Sequence, residues 1–113
     1  MKLEAVRKIA LSLPEATEEP HFHYTSFRVR NRIFATAPPS GEHTHIFVAD
    51  EDLELALALH PAFIEKLWWG GKVAGVRVNL AKARSEVVAE LLQKSWRRKA
   101  PKKMVAKSRL VLK

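Results

Sequence analysis

The first residues of the chain place hydrophobic side chains at helical spacing. These side chains recur three or four positions apart, at Leu3, Val6, Ala10 and Leu13. The pattern predicts an amphipathic helix over 2–13 that ends at Pro14, because a residue before proline is disfavoured in the helical conformation. Residues 15–20 are predicted to form a connector or a short edge strand.

From residue 21 to residue 37 the pattern changes to a period of two. The segment is rich in aromatic and β-branched residues, and its hydrophobic positions alternate with arginines. Asn31 tolerates a positive φ, so a tight turn at Arg30-Asn31 would join two short strands into a hairpin. The Pro-Pro-Ser-Gly sequence at 38–41 predicts a loop, and residues 44–49 predict another strand.

The middle of the chain combines helical and strand signals. Asp50 is predicted to cap a helix over 50–59, because strong helix formers outweigh the alternating leucines of this segment. A helical turn at 62–67 and a bend at 68–71 are predicted to follow. Alternating residues then predict a strand over 72–80.

A final helix is predicted from Ser85, as its cap, to about Lys99. Its hydrophobic stripe consists of Val88, Leu91, Leu92 and Trp96. The tail over 102–113 is predicted to be either a short strand at its Arg-Leu-Val-Leu sequence or a frayed end.

The order of these elements indicates the fold class. Strands that follow one another without intervening helices favour an antiparallel sheet. We therefore expect an α+β two-layer sandwich in which the N-terminal and C-terminal helices pack on one face of the sheet.

Length and composition narrow the class of protein. The chain has 113 residues, 47% of them hydrophobic and 28% charged, which is typical of one globular domain. It has no cysteine, which excludes disulfides, thiolate nucleophiles and cysteine-ligated metal centres. No apolar run approaches the roughly 18 residues of a membrane span. We expect a cytoplasmic protein without a signal peptide or a membrane association.

Charge is distributed unevenly along the chain. Residues 1–90 carry eleven basic and twelve acidic side chains, whereas residues 91–113 carry nine basic side chains and no acid. The net charge of +8 therefore lies in the C-terminal fifth, which ends in a basic tail from about residue 100. Such asymmetry indicates either an anionic partner or a solvated tail that aids solubility.

Several segments together resemble the MmcQ/YjbR family. They are ALSLPEATEE after the first helix, SFRVRNRIFA in the hairpin, VRVNL in the late strand, and ELLQKSWRRKAPKKMVAK at the C-terminal end. The last of these is the most specific, and the resemblance covers nearly the whole chain. It implies a small α+β fold with an antiparallel sheet, similar to secretion-chaperone-like domains. Members are commonly described as candidate DNA-binding proteins with a double-wing arrangement of strands and loops.

Basic and aromatic side chains form the candidate nucleic-acid-binding set. Cations contact phosphates, and an aromatic ring can stack on a base. The set comprises Arg28, Arg30, Arg32, Trp69, Lys72, Arg77, Lys94, Arg97, Arg98, Lys99, Lys102 and Lys103. The alternative is that the arginines occupy the solvated face of a sheet and that the tryptophan belongs to the core or its rim.

Two pairs of histidines have metal-ligand spacing. His21 and His23 would share one strand face, as would His43 and His45, and pairing of the two strands would bring four imidazoles together. Solvent-facing or hydrogen-bonded histidines are the commoner arrangement, so we expect neither a metal nor another cofactor. Catalytic motifs are absent from the sequence, so we do not expect an enzyme.

The leading hypothesis is a small protein that binds the phosphate backbone of nucleic acid through its basic C-terminal helix and tail and an arginine-rich hairpin. A protein- or peptide-interaction module that uses the sheet face is the alternative, and it predicts an exposed apolar patch around Phe22, Tyr24 or Trp69. A histidine-based metal-binding domain is a third. We expect a monomer or a weak homodimer.

Overall fold

A computed structural model of the chain describes residues 1–108. In chain order the elements are α1 (Leu3–Ser12), β1 (Ala16–His21), β2 (Tyr24–Val29), β3 (Arg32–Ala37), β4 (His43–Ile46), α2 (Asp50–Leu59), β5 (Ile64–Trp69), β6 (Lys72–Asn79), α3 (Ser85–Lys99) and α4 (Lys102–Ser108). The possible strand at 109–112 lies outside the described residues. No helix within 1–108 has the length and apolar composition needed to cross a membrane.

The six strands form one sheet in the order β1-β2-β3-β4-β6-β5, and every neighbouring pair is antiparallel. Helix α3 contacts β3 and β4, α1 packs against α3 and the sheet, and α2 contacts β5 and β6. The predicted α+β class, with helices on one face of an antiparallel sheet, is therefore confirmed.

The core lies between the helices and the sheet. Trp96 is fully buried there, and its indole nitrogen donates to the carbonyl of Pro14 at 3.0 Å. The whole predicted stripe of α3 is buried with it. The pairing of β2 with β3 shifts by one residue. Ala35 pairs with Phe27 and Ile33 pairs with Arg28, which leaves Phe34 as the extra residue of a β-bulge. Two consecutive residues, Phe34 and Ala35, can therefore join the same core.

The hairpin predicted at Arg30-Asn31 is confirmed. Both residues have positive φ values, 50° and 65°, as a tight turn between twisted strands requires. The prediction for 62–67 is wrong, because residues 64–69 form β5, which pairs with β6 along its length. The predicted bend is correspondingly shorter and turns at Gly70-Gly71, where both φ values are positive.

Two predicted helix caps are displaced by one residue. Helix α2 begins at Asp50 with Ala49 as its N-cap, and α3 begins at Ser85 with Arg84 as its N-cap. Neither helix has a side-chain cap, although acidic residues in each first turn favour the positive end of the helix dipole. The tail after Pro101 is also more regular than predicted, since 102–108 form α4.

Candidate nucleic-acid interface

The basic C-terminal segment of the sequence becomes one end of the molecule. The last turn of α3 carries three consecutive cations, which the negative end of the helix dipole favours. Arg97 and Arg98 are exposed, and after Pro101 the exposed Lys102 and Lys103 begin α4.

Lys99 shows that a second element reaches this end of the molecule. Partial burial lowers the pKa of its amine, and the positive charges of Arg98 and Arg32 lower that pKa further. Arg32 is the first residue of β3, so the β2–β3 turn lies beside the end of α3. We call this group the cationic surface, and its members are Arg32, Arg97, Arg98, Lys99, Lys102 and Lys103.

Two other predicted cations, Arg30 and Lys94, are instead paired with carboxylates. Arg30 donates to the two carboxylate oxygens of Glu15 from Nε and Nη2, at 2.8 and 3.2 Å. Lys94 lies 3.4 Å from Asp52 and 3.3 Å from Glu90. Within residues 1–108, members of the cationic surface form no such ion pair.

The three arginines of the hairpin therefore do not form a single cluster. Arg30 turns toward Glu15, and Arg32 lies near Lys99. Arg28 donates to the hydroxyl of Ser26 at 2.9 Å and to the carbonyl of Pro20 at 3.3 Å, which places its guanidinium beside β1.

The other predicted residues lie on the sheet face away from the helices. One row of paired residues crosses this face, in the order Ser26, Thr36, His45, Arg77 and Glu65. The Arg77 guanidinium lies 2.5 Å from a Glu65 carboxylate oxygen and 3.3 Å from Nδ1 of His43. Thus Arg77 belongs to a polar network on the sheet and not to the cationic surface.

Trp69 packs across this face as the centre of an aromatic cluster. Its ring centroid lies 5.3 Å from that of Phe47, 5.8 Å from Tyr24, 6.0 Å from His45 and 6.4 Å from His21. His21 and Trp69 come from β1 and β5, which are the two opposite edges of the sheet. The sheet is consequently concave on this side.

Trp69 separates two depressions in the concave face. The larger, of about 480 Å³, has a polar wall that includes Glu42, His43 and Arg77. The smaller, of about 250 Å³, lies between Trp69 and the β1–β2 turn. Tyr24 borders both.

His45 is a buried titratable residue of this face, in the same row as the buried Ser26 and Thr36. Its Nδ1 lies 3.2 Å from the hydroxyl of Thr36. Burial lowers its pKa to about 4, with further contributions from the positive charges of Arg77 and His43. The imidazole is therefore neutral at physiological pH.

The two histidine pairs are not brought together as a four-imidazole site. Strands β1 and β4 are separated by β2 and β3, so the pairing on which that alternative depended is wrong. Among residues 1–108, no three His, Asp or Glu side chains converge in a way that could hold a metal ion.

Sequence reasoning missed the aromatic cluster around Trp69. The HFHY and WW sequences were visible signals, but the contact between them depends on the curvature of the whole sheet. Trp68 is 66% exposed and Trp69 is half-buried, so Trp69 is the more closely packed of these two neighbours.

Fold and surface together define a small two-layer α+β domain with a concave open sheet face and a separate cationic end. The sequence model of the YjbR family matches residues 11–98, and the chain belongs to this family, as its resemblance predicted. A crystal structure of Deinococcus radiodurans protein DR2400, which has a DUF419 domain, has a similar fold. The TM-score is 0.71 at 23% identity, over 84% of this chain and 75% of that one. A search of curated proteins finds no match.

Proposed function

We propose that this domain binds nucleic acid through phosphate contacts made by the cationic surface, without catalysing a reaction. Phosphate contacts position a protein on nucleic acid but carry no direct sequence information. Binding of this kind is expected to be strongly salt-dependent and to show little base preference.

The observation that carries the proposal is that, within residues 1–108, no carboxylate forms an ion pair with any member of the cationic surface. Burial, and then the positive charges of Arg98 and Arg32, lower the pKa of the Lys99 amine, so these unpaired cations come from two different elements. Like charges raise each other's electrostatic energy, and a bound anion lowers the energy of such a grouping. A phosphate backbone would relieve that repulsion at several positions at once.

The test is fluorescence anisotropy with duplex DNA, measured at two salt concentrations. In the variant, Arg98, Lys102 and Lys103 are all replaced by Gln. We expect weaker binding, and a log–log salt dependence less steep by up to about 0.9 for each phosphate that the variant no longer neutralises. The matched control replaces Lys2, Lys66 and Lys82 by Gln, which removes the same charge from exposed positions outside the cationic surface.

Equal reductions in affinity in the two triple variants would attribute binding to net charge and overturn the proposal. Absence of duplex and single-strand binding at low salt would also overturn it. A reduction in affinity that is confined to the Arg98, Lys102 and Lys103 variant supports the proposal. Circular dichroism of both variants verifies that each remains folded.

A peptide-interaction module is the second candidate, and one observation favours it. Phe22 is 90% exposed, beside the open concave face, as that alternative predicted. This second function predicts that a specific protein, and not nucleic acid, co-purifies with the domain. Nuclease treatment of the purified protein, together with denaturing gel electrophoresis of the material that co-purifies with it, identifies which class of partner is retained.

A further inference from the structure

The β1–β2 turn presents a phenylalanine in a conformation that phenylalanine disfavours. His21 pairs with Tyr24, so Phe22 and His23 form a two-residue turn. Phe22 has a φ of 58°, while His23 is not among the residues with positive φ. A positive φ at the first central position alone is typical of a type II′ turn, where glycine is the usual residue.

Packing in the free protein does not compensate for this strain. The Phe22 side chain is 90% exposed, and its one aromatic neighbour in the described structure is His21, with ring centroids 4.9 Å apart. Unfavourable backbone conformations of this kind are concentrated at sites that contact ligands. An exposed, strained aromatic residue is therefore a candidate contact residue.

A cleft beside Phe22 has the character of a stacking site. It has a volume of about 250 Å³, and all five residues that line it carry rings, namely His21, Phe22, His23, Tyr24 and Trp69. The Trp69 ring is held from the side by Phe47 at 5.3 Å and Tyr24 at 5.8 Å, each edge to face. A ligand ring would therefore meet a surface that is already ordered.

Charge around the cleft favours an anionic ligand. No carboxylate of residues 1–108 is among the groups that line it. Lys72 is exposed and is the cross-strand partner of Trp69, and Arg28 reaches the carbonyl of Pro20 next to the turn. The acid of β1 closest to the turn in sequence is Glu19, which remains charged and accepts a hydrogen bond from Thr17 at 3.1 Å.

We propose that this aromatic cleft stacks an unpaired base of single-stranded nucleic acid against the rings of Phe22 and Trp69, with Lys72 and Arg28 beside the adjoining phosphates. The inference rests on the proposed function and names its substrate class. Aromatic stacking accepts every base, because each base has a π-face. The cleft thus adds a preference for single strands that phosphate contacts alone do not provide.

The cleft lies on the concave face, whereas the cationic surface lies on the helix side of the sheet, where Arg32 pairs with the buried Val29. A nucleic-acid strand that contacts both must therefore pass around the β2–β3 turn. The β1–β2 turn and the β2–β3 turn lie at opposite ends of β2, which spans Tyr24–Val29. Six residues of antiparallel strand measure about 17 Å between their ends. Arg28 lies along this path, so a bound strand would pass a cation between the two contact regions.

The test compares an oligothymidylate of about 16 nucleotides with a duplex, since single-strand modules bind up to about that length. Phe22→Gly is the decisive variant. It removes the stacking ring, and it also relieves the positive φ, so we expect an unchanged or higher Tm. Affinity for the oligothymidylate should fall by about 5- to 150-fold, as removal of one base–aromatic stack predicts. Duplex affinity and the salt dependence should not change.

Trp68→Ala is the matched control, because Trp68 is exposed and adjacent but lies outside the lining of the cleft. It should retain wild-type affinity for both probes. In a Trp68→Phe background, the oligothymidylate should quench the fluorescence of Trp69, and Phe22→Gly should remove that quenching at the same oligonucleotide concentration.

The outcomes separate this inference from the proposed function. Suppose that Phe22→Gly binds oligothymidylate as tightly as the wild type, while the Arg98, Lys102 and Lys103 variant binds more weakly. This result would overturn the proposed stacking in the cleft and leave the proposed phosphate interface intact. Absence of binding to either nucleic acid overturns both. If the protein binds no oligothymidylate, and if a peptide co-purifies with the wild type but not with Phe22→Gly, the cleft recognises peptides and not nucleic acid.

Discussion

The imidazole of His21 lies nearly parallel to the indole of Trp69, with ring centroids 6.4 Å apart and an interplanar angle of 21°. These residues belong to the two outermost strands of a six-stranded sheet. In a flat sheet those strands would be about 24 Å apart, at about 4.8 Å for each strand spacing. The contact therefore requires strong curvature, and this curvature creates the concave face on which the cleft lies.

Glu15 limits the extent of the cationic surface. It binds the guanidinium of Arg30, and that hydrogen bond holds the pKa of the Glu15 carboxyl below its ordinary value. We expect Glu15→Gln to release Arg30 for a phosphate, which should strengthen duplex binding and steepen the log–log salt dependence by about 0.9. Anisotropy titrations at several salt concentrations measure both quantities.

The control for this change is Glu54→Gln, which removes the same charge from an exposed position of α2. A similar gain in affinity for the two variants would show that overall charge, and not the Arg30 pair, determines the effect.

His45 is expected to make stability depend on pH. Its pKa in the folded protein is about 4, below the ordinary value of 6.5, so the unfolded chain binds a proton that the folded chain does not. The stabilising contribution is fully present above about pH 6.5 and declines by up to about 1.4 kcal/mol per pH unit toward pH 4. Urea unfolding across this range measures it.

Carboxylates also titrate within the same range, so the informative quantity is the difference between wild type and His45→Gln. The variant should lose less free energy of unfolding per pH unit below about pH 6.5. Parallel curves for the two proteins would contradict the neutral, buried state of this imidazole.

Two glycines of the β5–β6 hairpin should respond differently to substitution by alanine. A Cβ at Gly75 would lie 2.1 Å from the carbonyl oxygen of Ile46 and 2.9 Å from Cα of Phe47. Because backbone atoms cannot yield as a flexible side chain does, we expect Gly75→Ala to cost more than about 3 kcal/mol.

At Gly71 the space is open, and the constraint is a φ of 80°. Gly71→Ala should cost only about 1–2 kcal/mol, the penalty for an L-residue in the left-handed region. Thermal unfolding of the two variants compares them, and equal destabilisation would mean that the approach of β4 to Gly75 is less close than the structure shows.

Ser95 connects α3 to the sheet. Its hydroxyl oxygen is fully buried and lies 2.6 Å from the carbonyl oxygens of both Phe34 and Phe47. Ser95→Ala should lower the free energy of unfolding by about 1–3 kcal/mol, because a buried acceptor loses its partner. Ser12→Ala serves as the exposed control and should have a smaller effect in the same denaturant titration.

The candidate site was only partly predictable from the sequence. Counting the charged residues along the sequence identified the C-terminal cations. The positions of the hairpin arginines could not be predicted in this way, since Arg30 turns to Glu15 while Arg32 lies near Lys99. Those partners are distant in sequence, and their positions depend on how the hairpin docks beside α3.

The fold was predicted best where short-range interactions decide it. Helical periodicity determined α1 and α3, and the tolerance of Asn31 for positive φ determined the turn between β2 and β3. Segment 64–69 was misassigned because its preceding proline and mixed residues carry no clear period of two. It forms strand β5 because its backbone pairs with β6 along its length. Two of its side chains, Ile64 and Leu67, are buried as a result.

The sequence by itself thus determined helices α1, α2 and α3, the central hairpin, the hydrophobic stripe around Trp96 and the location of the excess charge, since each depends on residues within a few positions of one another. Tertiary structure alone decided the curvature that brings His21 to Trp69, the ring-lined cleft beside Phe22, and the separation of paired cations from unpaired ones. These features depend on contacts between residues tens of positions apart, and such contacts exist only once the sheet and helices have packed together.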